Sequence, residues 1–233
     1  RISRTGVMNE HISSTRLGLN GNPTLAEELQ IARDLFLLEY TGGKLHIPTI
    51  STAKSVDLIR EAKKKKLDVS CSVAIHNLCF TDEALETFNT NFKVLPPIRT
   101  QSDINALING LKDGTIDMVT SDHNPIDIEH KKIEFEGAKY GTIGLESAFG
   151  ALQTLFSTKK TINFLTQGKQ RFGIETSPIK IGEKANLSLF NPDETYTFNK
   201  TNITSTSKNA IFENVELKGK VYGVITNNKL ILK

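Results

Sequence analysis

The residues able to do chemistry fall where strands are predicted to end. Asp122 follows a short apolar run, residues 116–120, that reads as a strand. A carboxylate there can hold a divalent cation or carry a proton. It can equally cap a strand-to-loop turn. His76 and Asn77 come directly after a second run, residues 68–75. An imidazole in that place is either a metal ligand or a hydrogen-bonded turn residue. His46 lies within a third run, residues 44–50, with Thr49 three positions later. In a regular strand that spacing puts the two on opposite faces. His123 adjoins Asp122 and points the other way if the strand continues. Arg99 follows Pro96-Pro97-Ile98 and reads as an anion binder or as a fold-stabilising arginine.

Other chemistries are excluded or weak. Cys71 and Cys79 make no C-x-x-C pair, which argues against a thiolate zinc site or a redox motif. Two thiols fit a reducing cytoplasm. Gly141 and Gly144 suggest a phosphate loop, but no Lys-Ser/Thr follows. The net charge is +3, which gives no argument for a nucleic-acid partner. No apolar stretch approaches the roughly 20 residues of a membrane span. The chain opens on Arg1-Ile2-Ser3-Arg4, without an initiator Met or the apolar core of a signal peptide, and reads as a cut edge.

The positioning elements follow from periodicity. Residues 23–40 predict a helix with Leu25, Leu29, Ala32 and Phe36 on its apolar side. Ser51-Thr52 supplies an N-cap for a helix presenting Val56, Ile59 and Ala62. Thr81-Asp82 caps a short helical segment, and residues 92–95 predict a brief strand stopped by two prolines. Ser102 or Asp103 starts a helix with Ile104, Leu107, Ile108 and Leu111 inward. The polar stretch 122–144 is too long for an ordinary loop and predicts a lid or disorder. Helices follow at 146–156 and 162–171. After Ser177-Pro178 the texture changes to strands at 185–190, 210–212, 219–225 and 229–232, with Asn227-Asn228 as a hairpin turn. Strands alternating with helices indicate a parallel sheet, either doubly wound or closed as a barrel. Either places its chemistry at the C-terminal strand ends.

Several segments in order resemble one family. Met8-Asn9-Glu10 with Leu17-Gly18-Leu19 opens the likeness, and Ile50-Ser51-Thr52 matches the end of an H-[VI]-S-T motif. Pro96-Pro97-Ile98-Arg99 resembles N-P-P-L-R. Asp113-Gly114-Thr115-Ile116-Asp117 followed by Ser121-Asp122-His123-Asn124-Pro125 resembles D-G-T-I-D and T-D-H-A-P-H. Gly144-Leu145-Glu146-Ser147-Ala148 resembles G-L-E-T-A, and residues 180–187 resemble the start of a terminal β-module. Together these resemble the C-terminal portion of the dihydroorotases that are related to allantoinases and hydantoinases.

The resemblance implies an α/β fold. It implies an incomplete (β/α)8 barrel over residues 1–176, followed by part of a small β-sandwich module over 177–233. It implies zinc, and Asp122 as the metal-facing catalytic aspartate that shuttles a proton. His76 becomes a second candidate ligand, and the backbone at Gly141 and Gly144 a substrate contact. The implied reaction is reversible hydrolysis of a cyclic amide, dihydroorotate, in pyrimidine synthesis. The implied partners are a second copy of the chain or aspartate transcarbamoylase, in the cytoplasm. Three positions depart from the pattern. Thr49 stands where the family has a metal-binding histidine, Leu95 where it has a substrate-contacting asparagine, and Ile126 where it has the second histidine of D-H-A-P-H. The expected consequence is impaired catalysis, with a non-catalytic partner role or an altered cyclic-amide substrate as alternatives.

Overall fold

A computed structural model describes residues 2, 5–176 and 178–232. The expected boundary residue Ser177 and the terminal residues Arg1, Ser3 and Arg4 lie outside that set. The chain starts with a two-residue parallel pair, β1 (Met8–Asn9) and β2 (Gly21–Asn22), enclosing α1 (Ile12–Leu17). Helix α2 (Thr24–Thr41) leads to β3 (Leu45–Ile47), α3 (Ala53–Lys64), β4 (Val69–Ala74), α4 (Gln101–Asp113) and β5 (Met118–Thr120). Strands β3, β4 and β5 form one parallel sheet in that order, with His46 opposite Ser70 and Ser72 opposite Met118.

Local chemistry explains these elements. The Thr52 hydroxyl accepts from the Ser55 amide at 3.1 Å, which starts α3. Thr100 and Asp103 form a capping box that starts α4 at Gln101, ahead of the expected Ser102 or Asp103. All six residues of the central strand β4 are buried, as a strand covered on both sides must be. Val56, Ile59 and Ala62 of α3 supply part of the cover, and Ile104, Leu107 and Leu111 are the buried residues of α4, which packs on α3. Gly110 lets α4 come close: a Cβ there would meet Val56 Cγ1 at 3.0 Å.

Helices α5 (Ala148–Leu155), α6 (Thr158–Thr166) and α7 (Gly168–Arg171) follow. The predicted helix 162–171 is therefore split and starts earlier. The split falls at Gln167, next to Gly168, where a Cβ would lie 2.5 Å from Met118 Sδ. The last sheet is antiparallel: β6 (Leu187–Thr197), β7 (Glu216–Thr226) and β8 (Lys229–Leu232). Asn227 and Asn228 are both left-handed, with φ of 49° and 58°, as the tight β7–β8 turn requires. Phe149 of α5 packs on Phe190 of β6 at 4.6 Å, which ties this sheet to the rest. Among the described residues, no helix is long and apolar enough to cross a membrane.

Three other expectations fail. Residues 92–95 form no strand: Thr90–Phe92 is a 3₁₀ turn and the Leu95-Pro96 bond is cis. Two successive prolines remove the N–H groups a ladder would need. Residues 210–212 form only an isolated bridge, Ile143 to Ala210. Helix α2 buries Ile31, Leu35 and Leu38 and exposes Leu25, Leu29 and Phe36. It carries two apolar stripes, and tertiary packing covers the one that periodicity did not single out.

Candidate functional site at the ends of the parallel strands

Each strand of the parallel sheet delivers a polar residue to one cleft. β3 stops at Ile47 and the chain turns sharply, with Thr49 at φ 44°. A β-branched residue seldom occupies that region. The Thr49 amide donates to Ser72 Oγ of β4 at 3.2 Å, and the Ile50 amide to the Ser72 carbonyl at 2.9 Å. β5 stops at Thr120, and Asp122 is also left-handed, with φ 45°. Its amide donates to Thr120 Oγ1 at 3.2 Å. His46, Thr49, Ser72, Thr120 and Asp122 line a cleft of about 730 Å³, closed on one side by Phe172.

Behind the cleft lies His76. It is fully buried, and neither ring nitrogen has a hydrogen-bond partner. Its Nε2 is 3.8 Å from Asp122 Oδ2. Burial pushes the imidazole down to about 4, so it is neutral near pH 7. Burial also raises the Asp122 carboxyl above its ordinary value. His76 sits in a turn, where its carbonyl accepts from the Cys79 and Phe80 amides, both at 3.2 Å, while its ring makes no hydrogen bond.

The structure brings together some expected residues and separates others. His46 shares the cleft with Thr49, because the sharp turn at Thr49 breaks strand alternation. Its Nδ1 pairs with Ser70 Oγ at 2.9 Å and its ring stacks edge-on with Phe172 at 5.1 Å. His123 takes a structural role: its Nδ1 accepts from the Gly144 and Leu145 amides at 3.2 and 3.3 Å. The Gly144 N–H is therefore used internally, and the Gly141 N–H goes to the Lys93 carbonyl at 2.9 Å. A substrate contact at these two glycines would therefore fall to other backbone atoms than these amides. Gly144 is required by the fold, since a Cβ there would lie 2.0 Å from the Ser121 carbonyl. Leu95 is 56% exposed and Ile126 lies in a different surface hollow, so neither lines the Asp122 cleft.

Arg99 resolves as a fold-stabilising residue. It is buried and donates to Ser51 Oγ at 3.1 Å, Asn9 Oδ1 at 2.8 Å and the Asn22 carbonyl at 2.7 Å. The 122–144 stretch is neither disordered nor a free lid. Lys93 Nζ donates to the Phe135 and Glu136 carbonyls at 2.9 and 2.7 Å, over the Tyr140 ring at 4.9 Å. Lys131 Nζ reaches back to the Thr90 and Lys139 carbonyls, both at 2.8 Å. Sequence reasoning missed both lysines, along with Ser72 and Thr120. Two serines at alternate positions of an otherwise apolar strand, Ser70 and Ser72, were the available signal.

A metal ion can be tested against these donors. Catalytic zinc takes three protein ligands. Among the described residues, no group of three His, Cys, Asp or Glu side chains converges. His76 and Asp122 offer two donors, and Thr49 adds only a neutral hydroxyl. These residues alone do not make a catalytic zinc site.

Known proteins bear on this geometry. The sequence pattern of the amidohydrolase family matches residues 9–231. A dihydroorotase from Caldanaerobacter subterraneus subsp. tengcongensis is 40% identical over 235 residues, 98% of this chain and 54% of that protein. One from Ruminiclostridium cellulolyticum is 42% identical over 98% of this chain and 55% of that protein. The chain therefore spans about half the length of the curated relatives it matches. Among solved structures, the dihydropyrimidinase from Brevibacillus agri superposes with a TM-score of 0.80 at 22% identity, over 91% of this chain and 50% of that one. The inactive dihydroorotase-like domain of the Chaetomium thermophilum CAD-like multifunctional protein gives 0.63 at 18% identity, over 86% of this chain and 54% of that one. Those two likenesses concern fold alone. This chain belongs to the amidohydrolase family and is dihydroorotase-like.

Proposed function

We propose that residues 1–176 form the C-terminal sector of a dihydroorotase-type (β/α)8 barrel, with residues 177–233 as a small β-module. We further propose that interconversion of dihydroorotate and carbamoyl-aspartate is impaired. Thr49 carries this reading: it stands in the cleft with Asp122, where the family pattern has an imidazole.

Hydrolysis of a cyclic amide needs an activated water and a polarised carbonyl, which zinc supplies in this family. The chain's own residues supply less. Asp122, half-buried and raised in basicity, is placed to accept a proton at Oδ2. His76, neutral and buried, lies 3.8 Å from that carboxylate, beyond hydrogen-bond distance. Thr49 presents an uncharged hydroxyl that does not polarise a carbonyl strongly. The role left to such a protein is association, with a second copy or with aspartate transcarbamoylase.

The test is dihydroorotate hydrolysis by the purified full-length protein, with zinc measured after dialysis against metal-free buffer. The expected result is little retained zinc and turnover near background, with both raised by Thr49→His. One retained zinc per chain together with turnover of about 1 s⁻¹ or more would overturn the proposal.

A further inference from the structure

We propose that two copies of this chain pair through the outer face of α2, antiparallel about a two-fold axis at Ala32. The pairing gives the association named above a surface and a register. It rests on that face and not on impaired catalysis.

The case starts from an apolar stripe that the fold leaves bare. Leu25, Leu29, Ala32, Phe36 and Tyr40 recur every three or four residues, so they share one face of α2. The buried line of the same helix runs through Ile31, Leu35 and Leu38. At about 100° per residue, the bare stripe lies roughly 140° around the helix from that line. It therefore points away from the parallel sheet. Glu39 pairs with Lys65, at the end of α3, at 2.9 Å, which puts α3 on one flank of α2. A preceding barrel helix would take the opposite flank, where Gln30, Asp34 and Leu37 lie. Completing a barrel thus leaves the stripe open.

Its size suits an interface. Phe36 is 73% exposed, Tyr40 85%, and Leu25 and Leu29 49% and 48%. Together they leave on the order of 500 Å² of side chain in water. A contiguous apolar patch of that size marks an interaction surface. Two copies bury on the order of 1,000 Å² between them, the least that a specific interface needs.

The order of the side chains says what covers the patch. Ala32 is the small residue at the centre. Leu29 and Phe36 flank it on either side, and Leu25 and Tyr40 lie one turn further out. Turned end for end about Ala32, the stripe meets itself: Ala32 on Ala32, Leu29 against Phe36, Leu25 against Tyr40. The small residue lets the helices approach where they cross, and the bulky ones fill the space beside it. A two-fold pair needs one self-complementary patch, and this is one. Lys65 already neutralises Glu39, the acid that the two-fold brings toward Glu28 of the other copy. An anionic lipid surface fits worse, because α2 carries Glu27, Glu28, Asp34 and Glu39 against Arg33 alone.

The test is sedimentation of the full-length protein over a concentration series, beside Phe36→Glu. The unaltered protein should be a dimer. Phe36→Glu should weaken the pairing by more than about thirtyfold, as loss of a central aromatic anchor does. Phe36 is exposed in the single chain, so its replacement spares the core, and an unchanged urea midpoint checks that. Cysteine variants read the register. Ala32→Cys should link to its own kind under mild oxidation. Leu29→Cys should link to Phe36→Cys when the two are mixed, and far more slowly to itself. Cys71 and Cys79, both pushed up to about 12 by burial, should stay out of the reaction. A protein that remains monomeric at about 100 μM would sink the idea. Slow amide exchange at the exposed end of α2 would then show the stripe covered by the chain's own further residues, and binding to anionic vesicles would show a lipid surface. A dimer indifferent to Phe36→Glu, or one that forms no Ala32 link, pairs through another face and overturns the proposal as well. Hydrolysis plays no part in the readout, so failure here leaves the proposal of impaired catalysis standing.

Discussion

Two polar clusters lie beyond the C-terminal ends of the parallel strands, and they are built in opposite ways. Around Arg99 the polar groups find partners: its Nε and Nη1 donate to Ser51, Asn9 and the Asn22 carbonyl. The Glu27 carboxylate takes the Ser51 amide at 2.8 Å, the Thr52 amide at 3.2 Å and the Ser55 hydroxyl at 2.6 Å. Asn9 links Arg99 to Asp82, to which its amide donates at 2.8 Å. The lysine pair that holds the 131–141 stretch follows the same rule, with carbonyls in place of carboxylates. Around His76 the rule fails: the imidazole is orphaned, and Asp122 beside it, like Thr49 in the same cleft as Asp122, is in a left-handed conformation. Polar groups that serve only the fold are satisfied by the fold. Those left unsatisfied and strained mark the place where something from outside is expected.

Substitutions break or sharpen that contrast. Arg99→Met carries the largest expected effect. It strands Asn9, Ser51 and the Asn22 carbonyl and should cost about 3 kcal/mol or more, measured by urea denaturation. Lys93→Met leaves two buried carbonyls without donors and should cost about 2 kcal/mol. Hydrogen exchange should quicken across residues 131–141 and stay unchanged in α3. His76→Leu should have the opposite sign. It removes two unpartnered nitrogens at similar volume and should stabilise the metal-free protein by about 1 kcal/mol. A destabilised His76→Leu would mean that His76 has a partner in solution, and the contrast would collapse.

A last effect is one of pH. Burial, and the Lys93 charge beside it, push Lys131 down to about 8. An unfolded lysine titrates near 10.4. Between those values the unfolded chain binds more protons, so Lys131 makes stability rise with pH from about 8 to about 10.4. Below about 8 the lysine is charged in both states and the slope vanishes. Lys131→Met should remove that rise while lowering stability overall. An unchanged slope would show that Lys131 sits in water rather than among carbonyls.

The α/β rhythm was legible because helix period and strand period leave different marks. Val56, Ile59 and Ala62, or the Asn227-Asn228 turn, needed no tertiary information. Asp122 was legible for a related reason, since a strand end is a local event and carboxylates there are few. The stretch 92–95 was misread because a local apolar run does not reveal that two prolines follow a turn rather than a strand. Helix α2 was misread because it has two apolar stripes, and only packing decides which is covered.

The sequence by itself determined the order of elements, the strand ends that carry Asp122 and His76, and the departure at Thr49. Tertiary structure decided the rest. It put His46 in the cleft, gave Arg99 and the two lysines to the fold, took the amides of Gly141 and Gly144 out of use, and left His76 unpartnered against Asp122. The physical reason is that partnership among buried polar groups is made across long sequence separations. Arg99 meets Asn9 and Lys93 meets Phe135, and no local pattern encodes which donor will find which acceptor.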